Sequence, residues 1–536
     1  MRERGISLLR DPRRNRGMAF SEAEREASGL HGLLPDVIEP AKIQVRRVQD
    51  RLERLASNLD RYTYLSHLQE TNENLFYRVV MSDPMRMMPL IYTPTVGDAC
   101  LEYSHIFERP RGLYLSLKRK GSVRALLRNW PEREIRFIVV TSGARILGLG
   151  DLGANGMGIP IGKLALYTAC ARVPPAFTMP ALIDVGTNNQ ALLDDPLYIG
   201  LRQRRCSTGE LDEFVDEFVS AVAGEFPGCC IQFEDWARAD AFRLLDRYRK
   251  RICCFNDDVQ GTGAAVLAGL TNALKISGGK LSEQTILFYG AGAAALGSAY
   301  LIAKALECEG ATFTKARDRI WLFNRGGLIE LTRQDLTDYQ KSYAHQHPAT
   351  KDLIQVLESL KPSVLIGFST AHKAFDRRVV ETMARLNHRP IIMALSNPTS
   401  KAECTAEEAY QWSDGRAVFA SGSPFPSVQW AGRTLVPSQC NNAYIFPAMG
   451  LAIFVTRARR VIDEMFLAAA EALAEGVSPA DLAAGFIFPP MTAIQQTQLR
   501  IAQRVAQVTF TQGLATIEEP EDLSSFIESQ LYSPQE

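Results

Sequence analysis

Two acidic pairs, each at the end of an apolar run, are the residues most able to do chemistry in this sequence of 536 residues. Glu234-Asp235 follows Ile231-Gln232-Phe233, and Asp257-Asp258 follows the run from Ile252 to Asn256. Carboxylates in apolar surroundings must be paired, protonated or bound to a metal, because an isolated buried charge costs more than a fold recovers. No matching cluster of Lys and Arg lies beside them in the sequence, so a divalent cation is the simplest partner.

The position of the acids at strand ends indicates which of them bind the ion. Neighbouring residues of a strand point to opposite faces, so a pair converges on one ion only where the backbone turns. We therefore expect Glu234, Asp235 and one of Asp257 and Asp258 to be ligands. Carboxylate oxygens alone suit Mg²⁺ or Mn²⁺ and argue against Zn²⁺. The alternative is that these acids are helix caps or surface ion pairs.

A nucleotide-binding pattern follows further along the chain. The run Thr285–Tyr289 is typical of a buried strand, and it leads into Gly290-Ala-Gly292-Ala-Ala-Ala295 and then a helical pattern. This order of strand, glycine turn and helix predicts a dinucleotide site. The next strand ends in Asn324-Arg325 rather than in the acid that would bind the ribose of NAD, which favours NADP without deciding between the two cofactors.

The remaining pattern predicts the elements that position these residues. Apolar residues recur at helical spacing from Ser21 to about Pro110, whereas short apolar runs alternate with helical segments beyond that point. We predict an α/β protein with a helical N-terminal domain, an α/β substrate domain and a doubly wound Rossmann-type domain. The predicted boundaries are 1–110 for the helical domain, 111–257 completed by 442–512 for the substrate and metal domain, 258–441 for the NAD(P)-binding domain, and 513–536 for a C-terminal tail.

The composition restricts the class of partner. Lys plus Arg and Asp plus Glu both number 60, so no basic excess suggests nucleic acid. The longest apolar run, 443–455, is shorter than the roughly 20 residues that span a bilayer, so we expect no membrane segment. Ten cysteines without a C-x-x-C spacing indicate reduced thiols and a cytoplasmic protein. The expected partner is a small molecule.

Seven further motifs, taken with the acidic pairs and in this order along the chain, resemble those of the malic enzymes. They are Asp11–Phe20, Tyr92–Gly97, Arg145–Gly153, Gly156–Lys163, Asp184–Thr187, Leu395–Thr399 and Asn441–Pro447. The resemblance covers nearly the whole chain, and it implies an enzyme that converts L-malate to pyruvate and CO₂ with reduction of NAD(P)⁺. It also implies a divalent metal ion and a homo-oligomer, either a dimer or a tetramer.

The resemblance assigns roles to individual residues. Lys163 corresponds to the general base, and Tyr92 to the acid that protonates the product. A lysine acts as a base near neutral pH only where burial or a neighbouring cation disfavours its charged form. The metal ligands become Glu234, Asp235 and Asp258, which leaves Asp257 to orient Lys163.

The binding residues follow from the same resemblance. Malate is expected to contact Arg145, Asn397 and one or both of Asn441 and Asn442, since a guanidinium and amide groups suit its carboxylates. The expected cofactor-binding residues are Arg145, Asp258, Gly290, Gly292, Ala295, Asn324, Arg325 and Asn397.

Several residues depart from the family pattern and keep other interpretations open. Relatives specific for NADP carry a lysine that falls on either Gln340 or Lys341 here, so the cofactor preference remains undecided. Other departures are Ser142, Ala144, Phe368–His372 and Cys440. The alternatives are a malolactic enzyme, which releases lactate and retains NAD, and a metabolite-binding relative without activity.

Overall fold

The computed structural model describes residues 4–146 and 148–534, which form two compact units. The first unit contains the described residues up to Ala144, together with Asp151–Cys229 and the chain from Ser524 onward. The second contains Arg145–Gly150 and Cys230–Leu523. Both units combine helices with parallel strands, so the predicted α/β class is confirmed.

The first unit begins with helices and then adds strands. Its helices are α1 (Ile6–Arg10), α2 (Glu22–Ser28), α3 (Ala41–Arg54), α4 (Asn58–Thr71), α5 (Glu73–Ser82), α6 (Pro84–Ile91), α7 (Thr95–Leu101), α8 (Val123–Leu127), α9 (Gly158–Ala171), α10 (Gln190–Asp194) and α11 (Thr208–Glu225). Its strands are β1 (Leu113–Ser116), β2 (Phe137–Thr141) and β3 (Thr178–Asp184). The helices α1 to α7 all precede β1, which confirms the predicted helical N-terminal region.

Local sequence explains where these elements begin and which faces they bury. Ser57 caps α4 together with Asp60, each side chain bonding the other residue's backbone N–H. The strands β1, β3 and β2 pair in parallel in that order. Every residue of β2 and β3 is buried, as expected for a parallel sheet that is covered on both faces. Their carboxyl ends lead into the glycine-rich and Asp184 motifs.

The second unit contains the remaining strands and most of the remaining helices. The helices are α12 (Arg238–Tyr248), α13 (Thr262–Ser277), α14 (Ala293–Cys308), α15 (Phe313–Arg317), α16 (Asp338–Lys341), α17 (Leu353–Leu360), α18 (Arg377–Leu386), α19 (Ala406–Trp412), α20 (Phe446–Thr456), α21 (Asp463–Glu475), α22 (Pro479–Ala483) and α23 (Ile494–Thr511). The strands are β4 (Cys230–Glu234), β5 (Cys254–Asn256), β6 (Ile286–Tyr289), β7 (Ile320–Asn324), β8 (Gly327–Leu328), β9 (Val364–Gly367), β10 (Ile391–Ala394), β11 (Val418–Ser421), β12 (Val428–Trp430), β13 (Arg433–Leu435) and β14 (Ser438–Gln439). Across residues 4–146 and 148–534, no helix has both the length and the apolar character needed to cross a bilayer.

The seven-stranded sheet of the second unit is doubly wound. Its order is β14-β11-β10-β9-β6-β7-β8, and only β8 runs antiparallel to its neighbour. The chain enters at β6, builds β7 and β8 on one side and then crosses to β9 on the other, so the order reverses beside β6. Ligands of such sheets bind at this reversal, at the carboxyl ends of the strands. The predicted Rossmann-type domain is therefore confirmed.

The end of the chain belongs to the first unit. A last helix, α24 (Leu523–Ser529), is followed by an extended segment that pairs with Arg172. The Tyr532 N–H donates to the Arg172 carbonyl at 2.7 Å, and the Arg172 Nε donates to the Tyr532 carbonyl at 2.9 Å. The Tyr532 ring packs edge-on against Tyr77, with ring centres 5.7 Å apart. These contacts fix the C-terminal segment to helices α5 and α9.

Candidate active site

The first unit brings together the two proton-transfer residues predicted from the sequence. Tyr92 directly follows α6, and Lys163 lies on α9. Gly162 allows close contact, because a Cβ there would lie 3.2 Å from Cδ2 of Tyr92. The Lys163 Nζ is 5.6 Å from the centre of the Tyr92 ring, and the two residues are 0% and 6% exposed. A buried amine beside a buried phenol is an arrangement able to move protons.

An ion pair that sequence reasoning missed holds the glycine-rich loop of this unit. The Asp151 carboxylate accepts from Nε and Nη2 of Arg205 at 2.8 and 2.7 Å, and from the Asn188 N–H at 2.8 Å. Burial acts to raise the pKa of Asp151, but the hydrogen bonds and charge of Arg205 outweigh it and hold the pKa below its usual value. Arg205 also donates to the Ser142 carbonyl, so it fixes both ends of the loop.

The second unit gathers the acids of the two pairs. The parallel strands β4 and β5 are neighbours, and they end at Glu234 and Asn256. Asp235 turns the chain with a left-handed φ of 53°, and its N–H donates to Oδ2 of Asp258 at 2.8 Å. Glu234 accepts from the Gln232 amide at 2.8 Å. The backbone of Asp235 and the carboxylate of Asp258 therefore meet at this strand end, and the binding of one ion by these acids stays a prediction.

The two acids of the second pair, Asp257 and Asp258, are the first two residues of a π-helical turn. It spans Asp257–Gly261 and continues into α13. Asp257 is fully buried whereas Asp258 is only partly buried. A Cβ on Gly261 would lie 1.8 Å from Oδ1 of Asp257, so this glycine is needed for the Asp257 side chain to fit. The turn thus gives adjacent carboxylates different environments.

The donor chemistry of the acids fits a divalent cation. Glu234 and Asp235 are 3% and 5% exposed, and the backbone of Asp235 is one hydrogen bond from the Asp258 carboxylate. Among the residues that the structure describes, no group of three His, Cys, Asp or Glu side chains is already closed around one point. The charge of a bound cation would offset the mutual repulsion of these carboxylates. The oxygen-only set suits Mg²⁺ or Mn²⁺.

The short loop that begins at Arg145 contacts both the acidic strand end and the backbone of Asn397, two of the predicted malate-binding residues being Arg145 and Asn397. The Arg145 N–H donates to the Asp235 carbonyl at 3.2 Å. In the same loop, Gly148 packs so tightly that an added Cβ would lie 2.6 Å from the Asn397 carbonyl oxygen. The Ser423 hydroxyl donates to Oδ1 of Asn397 at 2.6 Å. Since its oxygen already accepts this bond, the Asn397 amide has its N–H groups to offer an anionic ligand.

Asn441 and Asn442 begin a single 3₁₀ turn before α20. Oδ1 of Asn441 accepts the Ala443 N–H at 2.9 Å, so this side chain acts as a cap. Both asparagines are half-buried at the carboxyl end of β14, two strands from β10 in the sheet. The neighbouring Cys440 is buried, which raises the pKa of its thiol to about 12. This departure from the family pattern is a core thiol beside the loop.

A cleft at the carboxyl ends of β6, β7 and β9 contains the predicted glycine turn. Its volume is about 490 Å³, and its walls include Arg145, Gly290, Asn324 and Arg325. Gly290 has a φ of 128°, and a Cβ there would lie 2.5 Å from the Phe368 carbonyl oxygen. Only glycine fits this approach. Gly292 precedes α14 and Ala295 lies buried within it, as the predicted pattern requires.

In this fold the end of β7 contacts the ribose of the dinucleotide. Here it carries Asn324, whose side-chain oxygen already accepts two hydrogen bonds. Oδ1 of Asn324 accepts from the Gly326 N–H at 2.8 Å and from Nη1 of Arg333 at 2.9 Å. Arg333 also forms a two-bond ion pair with Asp335, at 2.9 and 2.6 Å. Arg333, which sequence reasoning missed, donates to the Asn324 oxygen that a ribose hydroxyl would otherwise use as its acceptor.

The structure decides which of Gln340 and Lys341 lines the cleft. Gln340 is 4% exposed, and its amide donates to the Ala291 carbonyl at 3.0 Å while accepting the Thr337 N–H at 3.0 Å. Lys341 points away from the cleft lining and pairs with Asp338 at 3.1 Å. The position next to the glycine turn is therefore occupied by a neutral amide that fixes the start of α16.

Glu403 is a second buried group that the sequence analysis did not select. Its Oε1 accepts from the Ser396 hydroxyl at 2.5 Å, and from the N–H and hydroxyl of Ser369 at 2.9 Å each. Burial raises the pKa of this carboxyl. The bonds join the Phe368–His372 loop of the cleft to the loop that carries Asn397. The departure at 368–372 is thus a loop tied down by side chains.

Two family models match the chain over most of its length. The model of the malic enzyme N-terminal domain matches residues 69–249, and that of the malic enzyme NAD binding domain matches residues 259–510. The chain belongs to the malic enzyme family. The first acidic pair, Glu234-Asp235, lies near the end of the first match, and the second pair, Asp257-Asp258, lies between the two matches, directly before the second begins at residue 259.

Curated relatives of this malic enzyme extend over the same length. The chain is 49% identical over 534 residues to the "NADP-dependent malic enzyme" of Anas platyrhynchos, covering 99% of this chain and 96% of the relative. It is 51% identical to the protein of the same name from Phaseolus vulgaris, covering 99% and 91%.

Solved malic enzymes share the fold of this chain. The crystal structure of the Entamoeba histolytica malic enzyme superposes with a TM-score of 0.59 at 22% identity and covers 95% of this chain and 92% of that one. That of the Pyrococcus horikoshii malic enzyme gives a TM-score of 0.56 at 26% identity, covering 83% and 88%.

Proposed function

We propose that this malic enzyme converts L-malate to pyruvate and CO₂ while reducing NAD(P)⁺. The observation that supports this most is the buried pair of Tyr92 and Lys163 in the first unit. In the second unit, Arg145 lines the Rossmann cleft and its N–H donates to the Asp235 carbonyl at the acidic strand end. The names of the curated relatives agree with the same reaction.

The proton-transfer roles fall to residues of the first unit. Lys163 takes the proton of the C2 hydroxyl of malate as hydride leaves C2, and CO₂ then leaves from C4 of the resulting oxaloacetate. Tyr92 donates a proton to C3, which completes pyruvate. One hydride, two protons and one CO₂ are thus accounted for. Asp257, the fully buried acid of the second pair, is the proposed third catalytic residue.

The binding roles follow from charge. Malate carries two carboxylates, and Arg145 and Asn397 offer a guanidinium and an amide to them, with Asn441 or Asn442 as a further amide. Mg²⁺ or Mn²⁺ held by Glu234, Asp235 and Asp258 would supply Lewis-acid polarisation of the substrate oxygens next to the reacting carbons. A bound dinucleotide would supply its nicotinamide as the hydride acceptor.

We propose that NADP is the preferred dinucleotide. The end of β7 presents Arg325 and lacks a carboxylate at position 324, and the Asn324 oxygen is engaged by Arg333. A guanidinium suits a 2′-phosphate. The proposed cofactor-binding residues are Arg145, Asp258, Gly290, Gly292, Ala295, Asn324, Arg325 and Asn397.

We propose from composition and family that the protein is cytoplasmic and forms a homo-oligomer. All ten cysteines are free thiols, which agrees with a cytoplasmic protein. A dimer or tetramer follows from the family alone. We also propose that the chain divides into a helical N-terminal domain (1–110), a substrate and metal domain (111–257 with 442–512), an NAD(P)-binding domain (258–441) and a C-terminal tail (513–536).

The test is to follow reduction of NAD⁺ and of NADP⁺ in parallel at the nicotinamide absorbance, with L-malate and either Mn²⁺ or EDTA. Metal-dependent reduction with one pyruvate per reduced cofactor is expected, at a higher kcat/KM for NADP⁺. Lactate formed without net reduction would make the protein malolactic. Malate binding without either product would leave a metabolite-binding protein.

A further inference from the structure

Three arginines converge on the cofactor cleft. Arg145, Arg238 and Arg325 line it together, although they come from distant parts of the chain. The pKa of Arg238 is lowered by its partial enclosure between the cleft walls and by the positive charges of Arg145 and Arg325. Within the described chain these guanidinium groups form no ion pair with a carboxylate, and Asp335 of the same lining is already held by Arg333.

The position of Arg238 indicates what such a cluster of cations would bind. Arg238 is the first residue of α12, and its side chain is exposed to solvent inside the open cleft. Its Nε and Nη2 lie 3.7 and 3.8 Å from where a Cβ on Gly292 would be. Gly292 precedes the 16-residue helix α14, whose free N–H groups and dipole attract phosphate. A guanidinium and a helix N-terminus therefore face the same place.

The sequence around Arg238 adds a second consequence. Arg238 follows Asp235 by three residues, and the Asp235 carbonyl accepts the Arg145 N–H. An anion held by Arg238 would therefore also restrain the short segment that carries Glu234 and Asp235. Repulsion among three unpaired cations destabilises the empty cleft, and a ligand with several phosphates removes that repulsion.

We propose that Arg238 is a phosphate-binding residue that takes the pyrophosphate of the dinucleotide at the glycine turn, while Arg325 at the end of β7 takes the 2′-phosphate. The proposal deepens the proposed function, on which it rests for the identity of the ligand. The division of labour follows from position, since Arg238 lies over Gly292 and Arg325 follows the strand that contacts the adenosine ribose in this fold.

The two arginines predict different losses when each is replaced. Arg238→Gln should weaken binding of NADPH and NADH alike by about 10- to 100-fold, the usual scale for a charged hydrogen bond to phosphate. Arg325→Gln should weaken NADPH binding by a similar factor and leave NADH within about twofold. Arg238→Lys should recover part of the loss because it keeps the charge. The measurement is a titration of nicotinamide fluorescence without malate.

Lys341→Gln is the matched control, because Lys341 is a cation of α16 that pairs with Asp338 and does not line the cleft. It should change neither dissociation constant. The proposal is overturned if Arg238→Gln binds both nucleotides as tightly as the parent while its melting temperature is unchanged, or if Lys341→Gln loses as much. Because binding is measured without turnover, a protein that binds NADPH in this way but does not oxidise malate contradicts the proposed function and not this assignment.

Discussion

A lysine with no exposed surface beside the face of a tyrosine is uncommon, because burying an ammonium group costs free energy unless the group is paired or gives up its charge. In the same unit, Arg205 donates two hydrogen bonds to the carboxylate of Asp151 and so forms an ion pair. These two pairs differ in kind, because the first is proposed to exchange protons, whereas the second holds the backbone on both sides of residues 143–150. Substitutions in the first pair should therefore lower activity, and substitutions in the second should lower stability.

Lys163→Ala should lower kcat for malate oxidation by about 10²- to 10⁴-fold, since a positioned base contributes on that scale. Tyr92→Phe should lower pyruvate formation by a similar factor. The two variants should differ in their rate of pyruvate formation when oxaloacetate is supplied directly with cofactor and Mn²⁺, because that substrate has no hydroxyl proton to remove. Lys163→Ala should then release pyruvate at near the parent rate and Tyr92→Phe should not.

The controls are Lys118→Ala, which removes an exposed lysine, and Tyr64→Phe, which removes the hydroxyl of a half-buried tyrosine on α4. Both should keep the parent kcat. Equal defects of Lys163→Ala and Tyr92→Phe with oxaloacetate would contradict the separate roles.

Asp151→Asn should lower stability by about 1–3 kcal/mol near neutral pH, because a charged hydrogen bond is lost. The folded pKa of Asp151 is depressed, so its contribution is present above the unfolded pKa of about 3.9 and disappears as pH falls through the folded pKa. Melting temperatures of parent and variant should therefore differ at pH 7 and converge in strong acid. A constant difference across this range would assign the effect to packing.

The residues that sequence analysis found and missed differ in one physical respect. Glu234, Asp235 and Gly290 sit at or directly after strand ends within short motifs, so local pattern was enough to select them, whereas the choice of Asp258 over Asp257 needed the family resemblance. Arg205 and Arg333 act on partners in separate loops, and Glu403 joins two loops that only the folded sheet brings together. No spacing along the chain encodes such contacts.

At the scale of elements, α14 is fitted directly onto the turn that carries the second acidic pair. A Cβ on Gly297 would lie 2.1 Å from the Val259 carbonyl oxygen and 2.7 Å from its carbon, so the helix and the turn touch through backbone. Gly263 makes the reciprocal approach, with an added Cβ 2.9 Å from the Gly297 carbonyl oxygen. The dinucleotide helix and the acidic turn are therefore in direct backbone contact, which leaves no room for a side chain between them.

Gly297→Ala should shift the turn and reduce kcat by about 100-fold, because a displacement of about 1 Å at a reacting site costs that much. The concentration of Mn²⁺ needed for half-maximal rate should rise as well, since Asp258 lies in the turn. Gly209→Ala is the control, as a Cβ at that site in α11 meets nothing within 4 Å. Unchanged metal dependence in Gly297→Ala would separate the helix contact from the acids.

For the whole molecule, the class of fold followed from periodicity, but its division into compact units did not. Parallel strands with continuous apolar runs and a glycine turn are local signals, and the doubly wound sheet follows from them. The C-terminal segment gave no such signal. It is anchored by one main-chain bond to Arg172, by side-chain bonds from Arg172 and Arg78 to its carbonyl groups, and by one aromatic contact, and none of these leaves a pattern in the sequence.

Tyr532→Ala should lower the melting temperature of the first unit by a few degrees, because an aromatic pair and its buried area are worth about 1–2 kcal/mol. Differential scanning calorimetry measures the shift, and limited proteolysis should cut the variant near its C-terminus first. Gln530→Ala, at an exposed position on the same segment, should behave as the parent. An unchanged melting temperature and proteolysis pattern in Tyr532→Ala would mean that the hydrogen bonds from Arg172 and Arg78 hold the segment without the aromatic contact.

The membership of residues 145–150 in the second unit affects how the protein can be divided for study. A fragment expressed from Cys230 to Leu523 would contain the whole seven-stranded sheet, yet it would lack Arg145 and the Gly148 contact with Asn397. A peptide of the missing loop, or a circular permutant that joins it to Cys230, should restore what the fragment lacks. Nucleotide titrations on an isolated Rossmann fragment would therefore measure a cleft with one wall removed.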